Sequence, residues 1–499
     1  MSYQSLFYGA LFLPTVFVLY ALTKQAYRKY VLLGASWLFY FLAMRQIAWV
    51  LVATSAGVYA AALWIDRAEG KKRTMRFACA LALLAGVLIR VKYAGWIFGG
   101  LQMLTGQAFA LKKLVVPLGI SYYTLEAISY LCEVLWRHQE ADRDFVRVAL
   151  FLGFFPQIME GPIARYQDSA ASLCAGRPIT GKSLRNGCLR MLWGFFKKMA
   201  GADRLSLLVA MVFNQPQRFH GWAALIGGVA YVAQLYLEFS GMIDVTMGTA
   251  EVLQIHLPEN FRQPFFSRSA SEFWRRWHIT LGTWLKTYVF FPVSTSHLVV
   301  NANRKVRKKY GRQTAKVVTS FLALTPVWLF NGFWHGPKWN YIVYGLYYLA
   351  ILMAEVMLEP VKKQFYAKTG YSPDRGFFKF LRWVRTLAII VAGEIIFRAN
   401  TVSAALLMMG NVFRGPSNVH ALFAVSHLDS SDWLAVGFCL ALVAIVDVCK
   451  EKGVHLFDWL DRLPTSVRWG LSYSLIFALI FLGAYGAGYR KVDMIYAKF

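Results

Sequence analysis

Acidic side chains are scarce in this chain. Only 26 Asp and Glu stand against 54 Lys and Arg among 499 residues, and charged residues of both signs reach 16%. Soluble proteins carry about 25%, so this chain has too little polar material to cover a soluble globule of its length. Cysteine is sparse too. The six (Cys79, Cys132, Cys174, Cys188, Cys439 and Cys449) are scattered, mostly in apolar segments, without a CxxC pair. They read as small core residues, with neither a disulfide framework nor a metal site. A GxSxG elbow, an HExxH pair and the Walker and dinucleotide glycine patterns are all missing. The opening stretch, MSYQSLFYGALFLPTVFVLYAL, has no basic residue before its apolar run and no small-residue cleavage site, so it reads as a retained helix rather than a removed signal peptide. No internal repeat, low-complexity tract or soluble-domain boundary interrupts the chain. Residues 1–499 read as a single membrane-embedded domain.

Apolar and aromatic residues fill the space that charge leaves. Hydrophobic residues make up 57% and aromatics 16%, with 17 Trp, and the mean hydropathy is +0.43. The pattern predicts an all-α polytopic integral membrane protein. Runs long enough to span, or nearly span, recur at 5–22, 31–44, 47–65, 77–89, 114–131, 145–159, 189–213, 222–240, 316–334, 340–358, 383–397, 432–448 and 469–487. At about 20 residues per crossing they imply roughly 11–13 transmembrane helices, the shortest tilted, re-entrant or buried. The net charge of +28 comes from basic residues grouped in short runs between these segments. That grouping points to membrane lipids and to orientation in the bilayer, and not to nucleic acid. Lys24, Arg28 and Lys29 after the first run, and Lys71, Lys72, Arg73 and Arg76 before the fourth, place those connections in the cytoplasm and the N-terminus outside. The stretch 304–316, with seven basic residues, and the basic segment 361–385 follow the same side, whereas 399–431 faces outward.

The stretch from about 240 to 300 does not alternate simply. It is too charged for a plain span and too aromatic for a solvated loop, so it predicts short re-entrant or interfacial helices lining a central funnel. Trp274, Trp277, His278 and Leu281 fall at i, i+3, i+4 and i+7, which reads as one helical face, with Glu272 pairing Arg275 or Arg276. Seven of the nine histidines sit in or beside polar connections. His278 and His335 do not. His335 closes an apolar run, four residues after Asn331, between Gly332 and Gly336 and just before Pro337, which stops the helix. If 316–334 is one helix it climbs about 28 Å, carrying His335 towards the outer half of the bilayer. A neutral histidine in such a place suits general-base work on a hydroxyl attacking an acyl carbonyl.

Several long motifs carry a resemblance. VPLGISYYTLEAISYLCEV at 116–134, FFPQIMEGPIARY at 154–166, FSGMIDVTMG at 239–248, LPENFRQPFFSRSASEFWRRWHITLGTWLKTYVFFPV at 257–293 and NGFWHGPKWNYIVYGLYY at 331–348 are similar in order and spacing to segments of the bacterial membrane-bound O-acyltransferases. IIFRANTVSAAL and the closing MIYAKF resemble the alginate O-acetylation branch in particular. Two departures stand out: Lys286-Thr287 where many relatives have an Arg-Asp pair, and Pro337-Lys338 after the Trp-His-Gly segment.

The resemblance implies an enzyme that moves an acyl group, usually acetyl, from a cytoplasmic thioester across the membrane for esterification of a cell-envelope or exported polysaccharide. His335 corresponds to the family's essential histidine and His278 to its second one. Trp334, Asn331, Trp277 and Trp274 would shape the funnel, and Arg275 and Arg276 would meet either a donor phosphate or nearby carboxylates. Gln157, Arg165 and Asp244 lie in family-like motifs where structural pairing is an equal reading. No tightly bound cofactor or metal is expected. The donor, acetyl-CoA or an acyl carrier protein, is a substrate. The resemblance also implies a separate extracytoplasmic hydrolase-like partner and residence in the bacterial cytoplasmic (inner) membrane. Three alternatives stay open: D-alanyl transfer from a carrier protein to teichoic acid, a transporter or flippase, and a non-catalytic scaffold of a polysaccharide secretion complex.

Overall fold

The computed structural model describes residues 3, 5, 7–107, 114–370 and 376–485. MIYAKF therefore lies outside the described residues. Among the described residues the regular structure is helical throughout, with no strand. Eight helices among the described residues are long and apolar enough to cross a membrane: Gln25–Ile47, Trp49–Asp66, Gly70–Thr105, Trp222–Val252, His297–Trp334, Trp339–Thr369, Ser430–Glu451 and Thr465–Leu482. The remaining apolar runs of the sequence are helices too, but shorter, like Ile120–Leu135 and Phe145–Gly153, or edged with charge, like Gly376–Arg398. The protein is an all-α, multi-pass membrane protein.

The chain divides into two compact units, one of residues 1–195 with 241–258, the other of 196–240 with 259–492. In the first unit several buried polar groups find partners close by, which lowers the cost of placing them in a low-dielectric interior. Glu126 accepts from Gln157 Nε2 at 2.5 Å and from the amide of Ala164 at 3.3 Å. Arg190 pairs with Asp244 at 2.9 Å, and Arg165 with Asp168 at 2.7 Å. The family-like Gln157, Arg165 and Asp244 are thus held in structural pairs. Helix α1 (Gly181–Phe196) crosses α2 (Trp222–Val252) at backbone contact. A Cβ on Gly187 would stand 2.5 Å from the carbonyl oxygen of Gly248, and one on Gly194 2.3 Å from that of Gly241. Glycines seven residues apart on both helices let the backbones meet, the means by which membrane helices pack without a hydrophobic driving force.

In the second unit the short helices α3 (Ala270–Phe273) and α4 (Ile279–Leu285) precede the long helices α5 (His297–Trp334), α6 (Trp339–Thr369), α7 (Gly376–Arg398) and α8 (Ser430–Glu451). α5 is not one rod. Gly311, at φ 82° and ψ 177°, reverses the chain, and Asn303 Nδ2 reaches Thr319 Oγ1 at 2.7 Å. A straight helix would hold those two residues about 24 Å apart. The basic run expected at 304–316 is the tip of this hairpin. Deeper in the unit, Lys198 is fully buried between Asp203 (2.5 Å) and Glu238 (3.3 Å), and Arg204 meets Asp432 at 2.8 Å.

Candidate active site

His335 follows the last residue of α5, and the hairpin between α5 and α6 fixes its backbone. Gly332 packs where any side chain would collide, since a Cβ there would lie 2.4 Å from the carbonyl oxygen of Tyr341. Gly345 does the same from α6, 2.3 Å from the carbonyl oxygen of Trp328. Gly336, at φ 128°, then turns the chain into Pro337 and the start of α6. The imidazole is buried, 4% exposed, with its Nε2 3.1 Å from Oδ1 of Asn331. The helix does continue far enough for the two to share a face. Phe397 of α7 presents its ring at 4.8 Å and Tyr344 of α6 at 6.1 Å, both edge-on to the imidazole. The Tyr344 hydroxyl donates to Glu394 at 3.1 Å. Asn340 Nδ2 donates to the carbonyls of Ile396 and Ala399, tying the start of α6 to the end of α7.

His278 is placed by a different device. The sequence pattern predicts one helical face through Trp274, Trp277, His278 and Leu281, and the structure corrects this. α3 ends at Phe273, and His278 adopts the left-handed conformation, φ 45° and ψ 53°, before α4 begins. The break has a cause in Asn260. Its carbonyl accepts the amide of Ile279 at 3.0 Å. Its side-chain Oδ1 takes the amide and hydroxyl of Thr280 at 3.2 and 2.9 Å and faces His278 Nδ1 at 3.1 Å. These bonds replace the helical ones that a continuous helix would need. His278 is 3% exposed, with the ring of Phe239 edge-on at 4.9 Å. Burial pushes its pKa down to about 3, so the imidazole is neutral.

Both histidines are therefore oriented by a carboxamide oxygen. With that oxygen accepting, Nε2 of His335 and Nδ1 of His278 carry the proton, leaving Nδ1 of His335 and Nε2 of His278 as the basic nitrogens. Asn260, Tyr344 and Phe397 are the residues that sequence reasoning missed.

An aromatic chain links the two histidine environments. Trp274 stands between Trp328 (5.0 Å) and Tyr348 (4.8 Å) and reaches Tyr344 at 6.3 Å. Phe273 stacks on Trp277 at 5.5 Å, and Trp277 packs on Phe261, Phe265 and Phe239. Trp334 is buried at the end of α5. Glu355 of α6 anchors this segment, accepting from the amides of Ala270 and Ser271. Arg276 meets carboxylates, Glu272 at 2.9 Å and Glu451 at 2.7 Å, so its charge is engaged within the protein. Arg275 is exposed. Lys286, at the first departure from the family pattern, lies over the ring of Phe291 at 5.5 Å, and Lys338, at the second, over Tyr341 at 5.8 Å. Among the described residues, no group of three His, Cys, Asp or Glu is placed to hold a metal ion.

Fold and site define a class: a multi-pass, all-α membrane protein that buries two carboxamide-oriented histidines among aromatic side chains. The family model for membrane-bound O-acyltransferases matches residues 99–302, a span that includes His278 and ends before His335. A probable alginate O-acetylase of Pseudomonas fluorescens is 32% identical over 418 residues, covering 83% of this chain and 76% of its own. A peptidoglycan O-acetyltransferase of Helicobacter pylori is 25% identical over 525 aligned residues, covering 94% and 93%. A teichoic acid D-alanyltransferase of Bacillus subtilis is 27% identical over 290 residues, covering 57% and 67%. The chain belongs to the membrane-bound O-acyltransferase family and is an O-acyltransferase.

Proposed function

We propose that this protein moves an acetyl group from a cytoplasmic thioester, acetyl-CoA or an acyl carrier protein, across the bacterial cytoplasmic membrane for esterification of a cell-envelope or exported polysaccharide. The observation that carries the reading is the Asn331-held imidazole of His335, buried at the end of α5. In this reading Nδ1 of His335 takes the proton of the acceptor hydroxyl as its oxygen attacks the thioester carbonyl. The new C–O bond forms, the C–S bond breaks, and the proton passes to the departing thiolate. His278 acts as the second group, orienting the acceptor or donating to the carbonyl oxygen as charge develops there. Trp334, Trp277 and Trp274 shape the path. Arg275 is the exposed cation open to a donor phosphate, because Arg276 is already paired. A separate extracytoplasmic hydrolase-like protein completes transfer to the polymer, and the N-terminus lies outside. Acetyl is favoured over D-alanyl because the similarity to the O-acetylases extends over far more of the chain.

The test is an ester measurement. Cells lacking the gene are complemented with wild type, His335→Ala or His335→Gln at matched membrane levels, and mild base releases ester-linked groups from envelope and exported glycans for mass spectrometry. Acetate restored by wild type alone is the expected result. D-alanine restored instead would replace the donor and the acyl group. Esters restored equally by the mutants would remove His335 from the chemistry.

A further inference from the structure

The reversal at Gly311 folds the two arms of α5 together beside α6 and leaves a recess of about 690 Å3 among them, within the size range of small-molecule sites. Neither histidine lines it. Arg307 comes from the first arm, Arg312 and Lys316 from the second, and Glu359 and Lys363 from α6. Three ties fix the shape of the walls. Asn303 Nδ2 donates to Thr319 Oγ1 at 2.7 Å, across the two arms. Pro360, inside α6, has no N–H for the carbonyl of Val356 four residues earlier, and Gln313 Nε2 donates to that carbonyl instead, at 3.3 Å. Lys316 pairs with Glu359 and so joins the second arm to α6. The recess is therefore preformed, which lowers the cost of filling it.

Four cations face this space and only one carboxylate does. That carboxylate is already shared, since Glu359 takes both Lys316 and, at 2.8 Å, Lys363. Arg307 and Arg312 make no ion pair with any described residue. The excess positive charge sits on these two guanidinium groups, brought to one recess by the chain reversal between them. Like charges gathered in one place repel, and an anion held between them offsets the repulsion. Guanidinium groups match phosphate oxygens through paired N–H donors. The hydroxyls of Thr319 and Ser320 line the deep end, about 12 Å along the second arm from Arg312. No aromatic ring lines the recess, so it offers a seat for charge and no stacking surface for a nucleobase.

We propose that this recess binds an anion bearing two phosphate groups, held by Arg307 and Arg312. A diphosphate in solution and a diphosphorylated lipid headgroup share that chemistry. The recess reaches both: its rim of arginines belongs to a hairpin tip too charged to leave the aqueous side, and its deep end lies on the arm that enters the apolar layer. From Lys316 to His335 the arm climbs about 28 Å, so the occupant does not touch the reacting histidine. It neutralises the tip and clamps the two arms of α5 on α6. The site stands independently of which acyl group the enzyme transfers.

The experiment uses the full-length protein, purified and delipidated in detergent. One arm titrates it with pyrophosphate by calorimetry, and the other adds cardiolipin or phosphatidylcholine and counts retained lipid by native mass spectrometry. One anion per chain is the expected result. Pyrophosphate bound, with cardiolipin held no better than phosphatidylcholine, assigns the recess to a soluble phosphate compound. Cardiolipin held in preference, and not displaced by pyrophosphate, assigns it to a lipid headgroup. Mutual displacement of the two shows that either fits. Arg307→Gln combined with Arg312→Gln weakens binding about twentyfold, from roughly fivefold for each cation beside a phosphate. Lys305→Gln combined with Lys308→Gln removes the same charge from exposed positions of the tip that do not line the recess, and solvent screening leaves binding nearly unchanged. No binding in either arm, unchanged binding in the arginine variant, or equal loss in both variants would each overturn the proposal. All four side chains are exposed, so neither variant disturbs a core, and melting curves verify that both are folded.

Discussion

Nε2 of His335 lies 3.1 Å from Oδ1 of Asn331, one helical turn earlier on the same buried face. Removing the carboxamide would take this acceptor from a buried ring N–H, at a cost of about 1–3 kcal/mol. Asn331→Leu should therefore lower glycan ester formation about tenfold or more at unchanged membrane level. Asn331→Asp, which keeps an acceptor oxygen, should retain more activity than Asn331→Leu. Base-released acetate from complemented cells measures both. Equal activity in Asn331→Leu and wild type would show that the ring is held by other means.

The approach of α5 to α6 makes a second prediction. A methyl group on Gly332 would meet a carbonyl oxygen at 2.4 Å, and a backbone atom cannot yield without moving its helix. Gly332→Ala should cost about 1–3 kcal/mol by overpacking and lower the apparent melting temperature in detergent. Gly437→Ala on α8 is the matched control. Nothing lies within 4 Å of its added methyl, and alanine is the better helix former. That variant should be neutral or slightly stabilised.

A third prediction follows from the neutral imidazole of His278, whose folded-state pKa of about 3 lies below the ordinary histidine value of 6.5. Above pH 6.5 neither the folded nor the unfolded state binds the proton, so His278 confers no pH dependence there. As pH falls below about 6.5 the unfolded chain gains a proton that the folded one refuses, and stability drops by up to about 1.4 kcal/mol per unit. Melting curves between pH 7 and pH 4 should fall more steeply for wild type than for His278→Gln. Parallel curves would mean that the buried ring does take up a proton.

Much of this architecture was legible because the relevant signals are local. Asn331 and His335 are one turn apart, and Gly336 with Pro337 marks the helix end, so spacing alone places the pair on one face. Helical character and apolar runs follow from composition in the same way. The setting of His278 was not legible, since its partner Asn260 lies 18 residues earlier and imposes a left-handed backbone that periodicity cannot foresee. Phe397 and Tyr344 reach His335 only through tertiary packing of α6 and α7. The glycine pairs at 187/194 and 241/248 did carry a readable signal, small residues repeated at helical spacing. Arg276 shows the limit of reading charge: the sequence offers both phosphate and carboxylate, and only the fold brings Glu451 to it.

The reversal at Gly311 turns the second arm of α5 into a plumb line. The hairpin tip carries Lys305, Arg307, Lys308, Lys309 and Arg312, and so much charge cannot sink into hydrocarbon. From Arg312 to Trp334 the arm runs 23 residues, about 34 Å, close to the thickness of the bilayer's apolar core. With the tip moored at one surface, arm length alone sets how deep His335 hangs. An insertion or deletion of one turn between Gly311 and the histidine would raise or lower it by about 5 Å without touching any of its neighbours in sequence.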